Sequence, residues 1–67
     1  MSIQKIAEHT YIASDANMAA CMAEHGSWII LRKQRDDLGE EFATVINIFD
    51  DEDEALDWLE GYERSIS

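Results

Sequence analysis

The sequence predicts a small single domain of the α+β class, built from a helix, an antiparallel β-hairpin and a C-terminal acidic amphipathic helix. Three observations lead to this prediction. The 67 residues favour one domain spanning residues 1–67. The runs SWIILRKQ and EEFATVINIF are rich in β-branched and aromatic residues, which are typical of strands. Near Asp50 the apolar period changes from two residues to about 3.6, the period of a helix.

The N-terminal third admits two assignments. In the first, a strand or an irregular segment containing HTYIAS precedes a helix over 16–25; in the second, one helix spans 3–25. The stretch 16–25 is rich in alanine and methionine, which favour helices, and Gly26 follows it where a glycine commonly ends a helix. We favour the first assignment, in which Ser14 or Asp15 is the N-cap of the helix.

The two strand-like runs predict a hairpin over 27–49, because the turn sequence RDDLG joins them. The first run carries apolar side chains on both of its sides. Strict alternation in the second run places Phe42, Ile46 and Ile48 on one side and Val45 and Phe49 on the other. Each side of the hairpin therefore needs a cover, which is either another element of the chain or another subunit.

The C-terminal segment predicts a helix over 51–64. Glu54 follows Asp51 by three residues, as in a capping box. Apolar residues then recur at positions i, i+3, i+4 and i+7, namely Ala55, Trp58, Leu59 and Tyr62. We expect this apolar side to pack on the hairpin and to form the core with it.

Charge and cysteine content restrict the partners and the compartment. The formal net charge is −10, from 15 acidic and 5 basic residues, so direct binding to nucleic acid or to an anionic membrane is disfavoured. The single Cys21 has no partner for an internal disulfide, which favours a reducing cytoplasm. Neither a signal peptide nor an apolar stretch of roughly 18 residues is present, so we expect a cytoplasmic protein.

Catalytic and metal-binding motifs are weak. Cys21 and His25 would share one face of the predicted helix, but a structural zinc needs four ligands, so we expect no metal, no cofactor and a buried Cys21. The run FDDEDE fails as a calcium loop, because Leu56 and Tyr62 stand where glycine and glutamate are required. With no catalytic signature in so short a chain, we expect no enzymatic activity and no catalytic residues.

The charge distribution supplies the candidate binding site. Residues 46–67 contain eight acidic residues and one base, so they hold −7 of the total charge. When the apolar side of the helix faces the core, carboxylates line the opposite side at intervals of about 5–6 Å, comparable to phosphates along a nucleic acid strand. The candidate partner-binding residues are Asp50, Asp53, Glu54, Asp57, Glu60 and Glu63.

In size, acidity and lack of catalytic motifs, the chain resembles the small proteins that phages and mobile elements use against host defence enzymes such as CRISPR and restriction systems. Some of those proteins mimic nucleic acid. The resemblance implies a non-enzymatic inhibitor that binds a basic, nucleic-acid-handling protein. The alternative is a structural or regulatory subunit, a homodimer or an antitoxin-like protein, that binds through the apolar side of the hairpin.

Overall fold

The structure, a computed structural model, describes residues 3–66 and has a five-stranded antiparallel sheet with one α-helix on one of its faces. The strands follow one another in the sheet in chain order. The elements are β1 (Gln4–Ala7), β2 (Thr10–Ile12), β3 (Met18–Met22), a short 3-10 turn (Glu24–Gly26), β4 (Trp28–Arg35), β5 (Glu41–Phe49) and α1 (Glu52–Ile66). The predicted α+β class is confirmed, and the predicted hairpin is confirmed in part, as the last two strands of a larger sheet.

The predicted helix over 16–25 is wrong, and so is the alternative of one long helix over 3–25. This region contains β3, the central strand, which pairs with β2 on one side and with β4 on the other. Its Met18 and Ala20 are buried beneath α1. Pairing along both edges of the strand and this burial together outweigh the helix propensity of alanine and methionine. Ser14 and Asp15 therefore cap no helix, and Gly26 lies in the 3-10 turn with φ +80°.

The turn between β4 and β5 is formed by the RDDLG sequence, as predicted. The carboxylate of Asp36 accepts hydrogen bonds from the backbone N–H groups of Leu38 and Glu40, each at 2.9 Å. Gly39 has φ +85°, a conformation that costs glycine little and other residues more. These bonds close the turn and set the start of the β4–β5 register.

A β-bulge changes which residues of β5 share a side. The register shifts between Ile30 and Leu31, because Ile48 pairs with Ile29 whereas Val45 pairs with Leu31. One extra residue therefore lies in β5, and Val45 and Ile48 end up on the same side of the sheet. Our expectation of opposite sides for these two residues is wrong, because strict alternation fails across a bulge.

The core lies between α1 and one side of the sheet. It consists of Ala13, Met18, Ala20, Trp28 and Ile30 together with Ala55 and Leu59 of α1. Ile30 and Leu59 are the largest fully buried side chains. Trp58 and Tyr62, which we expected in this core, are only partly buried at its border.

We predict that Leu59→Ala destabilises the protein by about 2–5 kcal/mol, because it leaves a cavity in the core. The matched control is Leu38→Ala, which makes the same change at a turn residue that is 87% exposed and should alter stability by less than about 0.5 kcal/mol. Urea unfolding followed by circular dichroism measures both. Equal midpoints for the two variants would contradict the position of Leu59 in the core.

Candidate functional site

The N-terminus of α1 is capped as the sequence predicts. The backbone N–H of Glu54 donates to Oδ1 of Asp51 at 2.8 Å, which satisfies one of the free donors of the first turn. Glu52, Asp53 and Glu54 occupy that turn, where the positive end of the helix dipole stabilises carboxylates. A high density of acidic residues is therefore compatible with a stable helix end.

Five of the six candidate binding residues are exposed, and we call them the acidic surface: Asp50, Asp53, Glu54, Asp57 and Glu60. Asp50 precedes α1, and the exposure of the other four follows from the position of the helix, because its buried residues are Ala55, Leu59 and Glu63. These three recur at intervals of four residues and face the sheet. The acidic surface therefore faces solvent, on the side of α1 that points away from the sheet.

Glu63 does not belong to the acidic surface, because it is buried. Its carboxylate accepts hydrogen bonds from the backbone N–H of Ser14 at 2.8 Å and from the hydroxyl of Ser14 at 2.5 Å. These bonds hold the pKa of Glu63 below its ordinary value of 4.5. Our expectation that Glu63 continues the exposed row is wrong. Its spacing of four from Leu59 was the signal in the sequence that could have placed it on the buried side.

Two further hydrogen bonds join α1 to the N-terminal part of the sheet. The hydroxyl of Tyr11 donates to Oε1 of Glu52 at 3.2 Å, and the hydroxyl of Tyr62 donates to Asp15. The bond from Tyr62 lowers the pKa of Asp15, and the same bond is the main reason that the pKa of Tyr62 is raised. Polar contacts thus tie both ends of α1 to the sheet, and they hold the acidic surface in a fixed orientation.

A groove of about 450 Å³ runs beside α1. Trp58 and Tyr62 line it with their rings nearly parallel, at an interplanar angle of 4° and a centroid distance of 6.2 Å. Arg32 and Ile46 of the sheet line it as well. The groove therefore presents aromatic surface beside a guanidinium group, at the edge of the core.

The other side of the sheet, which we call the open face, is not covered by any element of residues 3–66. The register places on it Ile12, Ala19, Cys21, Ile29, Leu31, Ala43, Val45 and Ile48, with Lys33, Arg35 and Glu41 at one end. Val45 and Ile48 are 48% and 62% exposed. The sequence predicts apolar residues on both sides of a hairpin, but it does not predict the contribution of β3, because 16–25 has the composition of a helix.

Cys21 and His25 do not form the helical pair that their spacing would allow. Cys21 lies in β3 and is partly buried on the open face, and this burial raises the pKa of its thiol. His25 lies in the 3-10 turn with φ +66°. Within residues 3–66 no group of three or more His, Cys, Asp or Glu side chains is placed to hold a metal ion.

The architecture defines a class: a small α+β domain in which one helix covers one side of a five-stranded antiparallel meander. No family model, no curated protein and no solved structure matches the chain. No helix within residues 3–66 is both long enough and apolar enough to cross a membrane. The features of the molecule that bear on its function are therefore the acidic surface and the open face.

The lowered pKa of Glu63 predicts a specific pH dependence. A carboxyl group with a lowered pKa in the folded state stabilises the protein above its ordinary pKa of 4.5, and this contribution is lost as the pH falls through the folded-state pKa. We expect Glu63→Gln to be less stable than the wild type at neutral pH and to lose less stability than the wild type below about pH 4.5.

The matched control for this experiment is Glu60→Gln, which removes one exposed carboxylate from the same helix. Acid also relieves repulsion among the remaining carboxylates, and this effect acts on both variants alike. The difference between their urea midpoints from pH 7 to about pH 3 therefore isolates the bonds from Ser14. Parallel pH curves for the two variants would contradict the role of Glu63.

Proposed function

We propose that this chain is a non-enzymatic protein-binding module, and that its acidic surface binds and inhibits a basic protein that handles nucleic acid. The supporting observation is the exposure of Asp50 just before α1, and of Asp53, Glu54, Asp57 and Glu60 on the outer side of α1, a helix that three hydrogen-bonded contacts hold to β2 and the turn that follows it. Because the helix backbone is already fixed, the acidic surface needs little backbone ordering when it binds a partner.

The chemistry of the partner follows from the charge of the surface. A site that binds phosphates presents Lys and Arg side chains, and these also form charge-assisted hydrogen bonds with carboxylates. On a helix, carboxylates three or four residues apart lie about 5–6 Å from each other, which is within the range of phosphate spacing. Asp53, Asp57 and Glu60 have this spacing. The proposed partner is therefore a protein whose nucleic-acid site the acidic surface would occupy in competition with DNA or RNA.

A second candidate function is supported by the open face. In this alternative the chain is a structural or regulatory subunit that associates through its apolar sheet side, and the acidic residues serve solubility. Salt separates the two candidates. Binding through carboxylates weakens steeply with added salt, whereas binding through an apolar face does not weaken.

The test of the first candidate is a double charge reversal, Asp57→Lys with Glu60→Lys. Both residues are exposed, so folding should change by less than about 0.5 kcal/mol. Affinity for the partner should fall by more than about tenfold, because attractive pairs become repulsive ones. The control, Asp37→Lys with Glu40→Lys, makes the same charge change at exposed residues of the β4–β5 turn and should keep the affinity.

The measurement uses the three proteins as bait in the host lysate, at low and at moderate salt, with identification by mass spectrometry. We expect the wild type and the turn control to capture the same basic nucleic-acid-binding protein, and added duplex DNA or RNA to displace it. Capture by the helix variant at the wild-type level would refute the proposal, and so would capture that neither salt nor nucleic acid reduces.

A further inference from the structure

We infer that a second copy of this chain covers the open face, so that two sheets pack against each other with their helices on the outside. The first observation is the composition of that face. Its centre is apolar across four neighbouring strands, from Ile12 of β2 through Ala19 and Cys21 of β3 to Ile29 and Leu31 of β4 and Val45 and Ile48 of β5. Contiguous apolar surface of this kind commonly marks an interface, because exposing it to water is unfavourable.

The second observation is the placement of charge. A second copy has the same negative charge, and of the two broad sides of the molecule the open face is the one that it can approach. Among residues 3–66, which contain all 15 acidic residues, Glu41 is the one that lies in a strand; the others are in α1 or in the turns. Glu41 forms ion pairs with Lys33 at 3.1 Å and with Arg35 at 3.0 Å. The open face therefore carries a small positive excess, although the whole chain has a charge of −10.

Face-to-face packing also keeps the two acidic surfaces apart. The molecule measures 35 × 29 × 19 Å, and its shortest extent fits the two layers of helix and sheet. Two copies joined at their open faces would carry their helices on opposite outer sides of a four-layer assembly. The helices would then be separated by more than the Debye length of about 8–10 Å, so their mutual repulsion would be largely screened.

The third observation is the area available. The extents of 35 × 29 Å bound the area of the broad side at on the order of 1,000 Å², and a stable interface takes about 800 Å² from each partner. An open face that occupies most of this side therefore reaches the area of an ordinary dimer interface. Paired sheets of this kind pack about 10 Å apart with interdigitated side chains, as in a β-sandwich.

The shape of the open face is compatible with contact between two copies. The residues that line a shallow hollow of about 140 Å³ include Ala19, Leu31, Lys33 and Ala43. Val45, which pairs with Leu31, and Ile48 are exposed on the neighbouring strand β5. In a two-fold interface each copy presents both features, so any contact between an exposed residue of one copy and the hollow of the other is made twice.

The test is analytical ultracentrifugation of the full chain from about 10 µM to about 1 mM protein. We expect a monomer–dimer equilibrium that shifts toward the dimer between about 0.05 and 0.5 M salt, because salt screens repulsion between the two negative bodies. A monomer at every protein and salt concentration would overturn the inference.

Two variants with the same charge change locate the interface. Val45→Lys with Ile48→Lys alters the open face, whereas Phe42→Lys with Ile46→Lys alters exposed residues of the same strand on the helix side. The added lysines lower the net negative charge equally, so electrostatic repulsion cannot explain a difference. We expect the first variant to raise the dimer dissociation constant by more than about tenfold and the second to leave it within about threefold.

If dimerisation were weakened equally in both variants, the free edge of β5 would be the contact, and the inference would be overturned. Dimerisation of the first variant at the wild-type level would also overturn it. Circular dichroism checks that each variant is folded. The inference does not depend on the proposed function, because Asp57→Lys with Glu60→Lys should dimerise at least as well as the wild type. Loss of dimerisation and loss of partner binding are therefore measured separately.

Discussion

One helix covers one side of the sheet, and the two surfaces of the molecule follow from this single contact. Ala55 and Leu59 share a buried core with Ala20 and Ile30, and the small alanines allow the helix backbone to approach the strands. This orientation turns the remaining side of α1 toward solvent, where carboxylates are favourable. It also leaves the second side of the sheet without a cover, because α1 is the only α-helix within residues 3–66.

Local patterns predicted those elements whose stability is itself largely local. The capping aspartate, the acidic first turn and the apolar period of α1 lie within 15 residues, so the sequence sufficed to predict the helix. The strand β3 could not be predicted in this way. Its alanine-rich sequence favours a helix when considered alone, and only pairing with β2 and β4 along both of its edges makes it a strand.

The candidate site shows the same division. Exposure of Asp53, Asp57 and Glu60 follows from helical periodicity and needs no knowledge of the rest of the fold. The burial of Glu63 depends on Ser14, which lies 49 residues away, and the composition of the open face depends on a bulge in β5. The spacing along α1 could have placed Glu63 on the buried side, but it reveals neither the bonds from Ser14 nor the bulge in β5.

The meander topology has a consequence for synthesis. Each strand pairs with its sequence neighbour, and hairpins form in about 1–10 µs, so the sheet pairs almost as soon as its strands leave the ribosome. The 15 residues of α1 follow the sheet, and at about 5–20 residues per second they take on the order of a second to be made. During that interval both sides of a nascent sheet are bare. The apolar side that α1 later covers is therefore exposed to other chains until synthesis of the helix is complete.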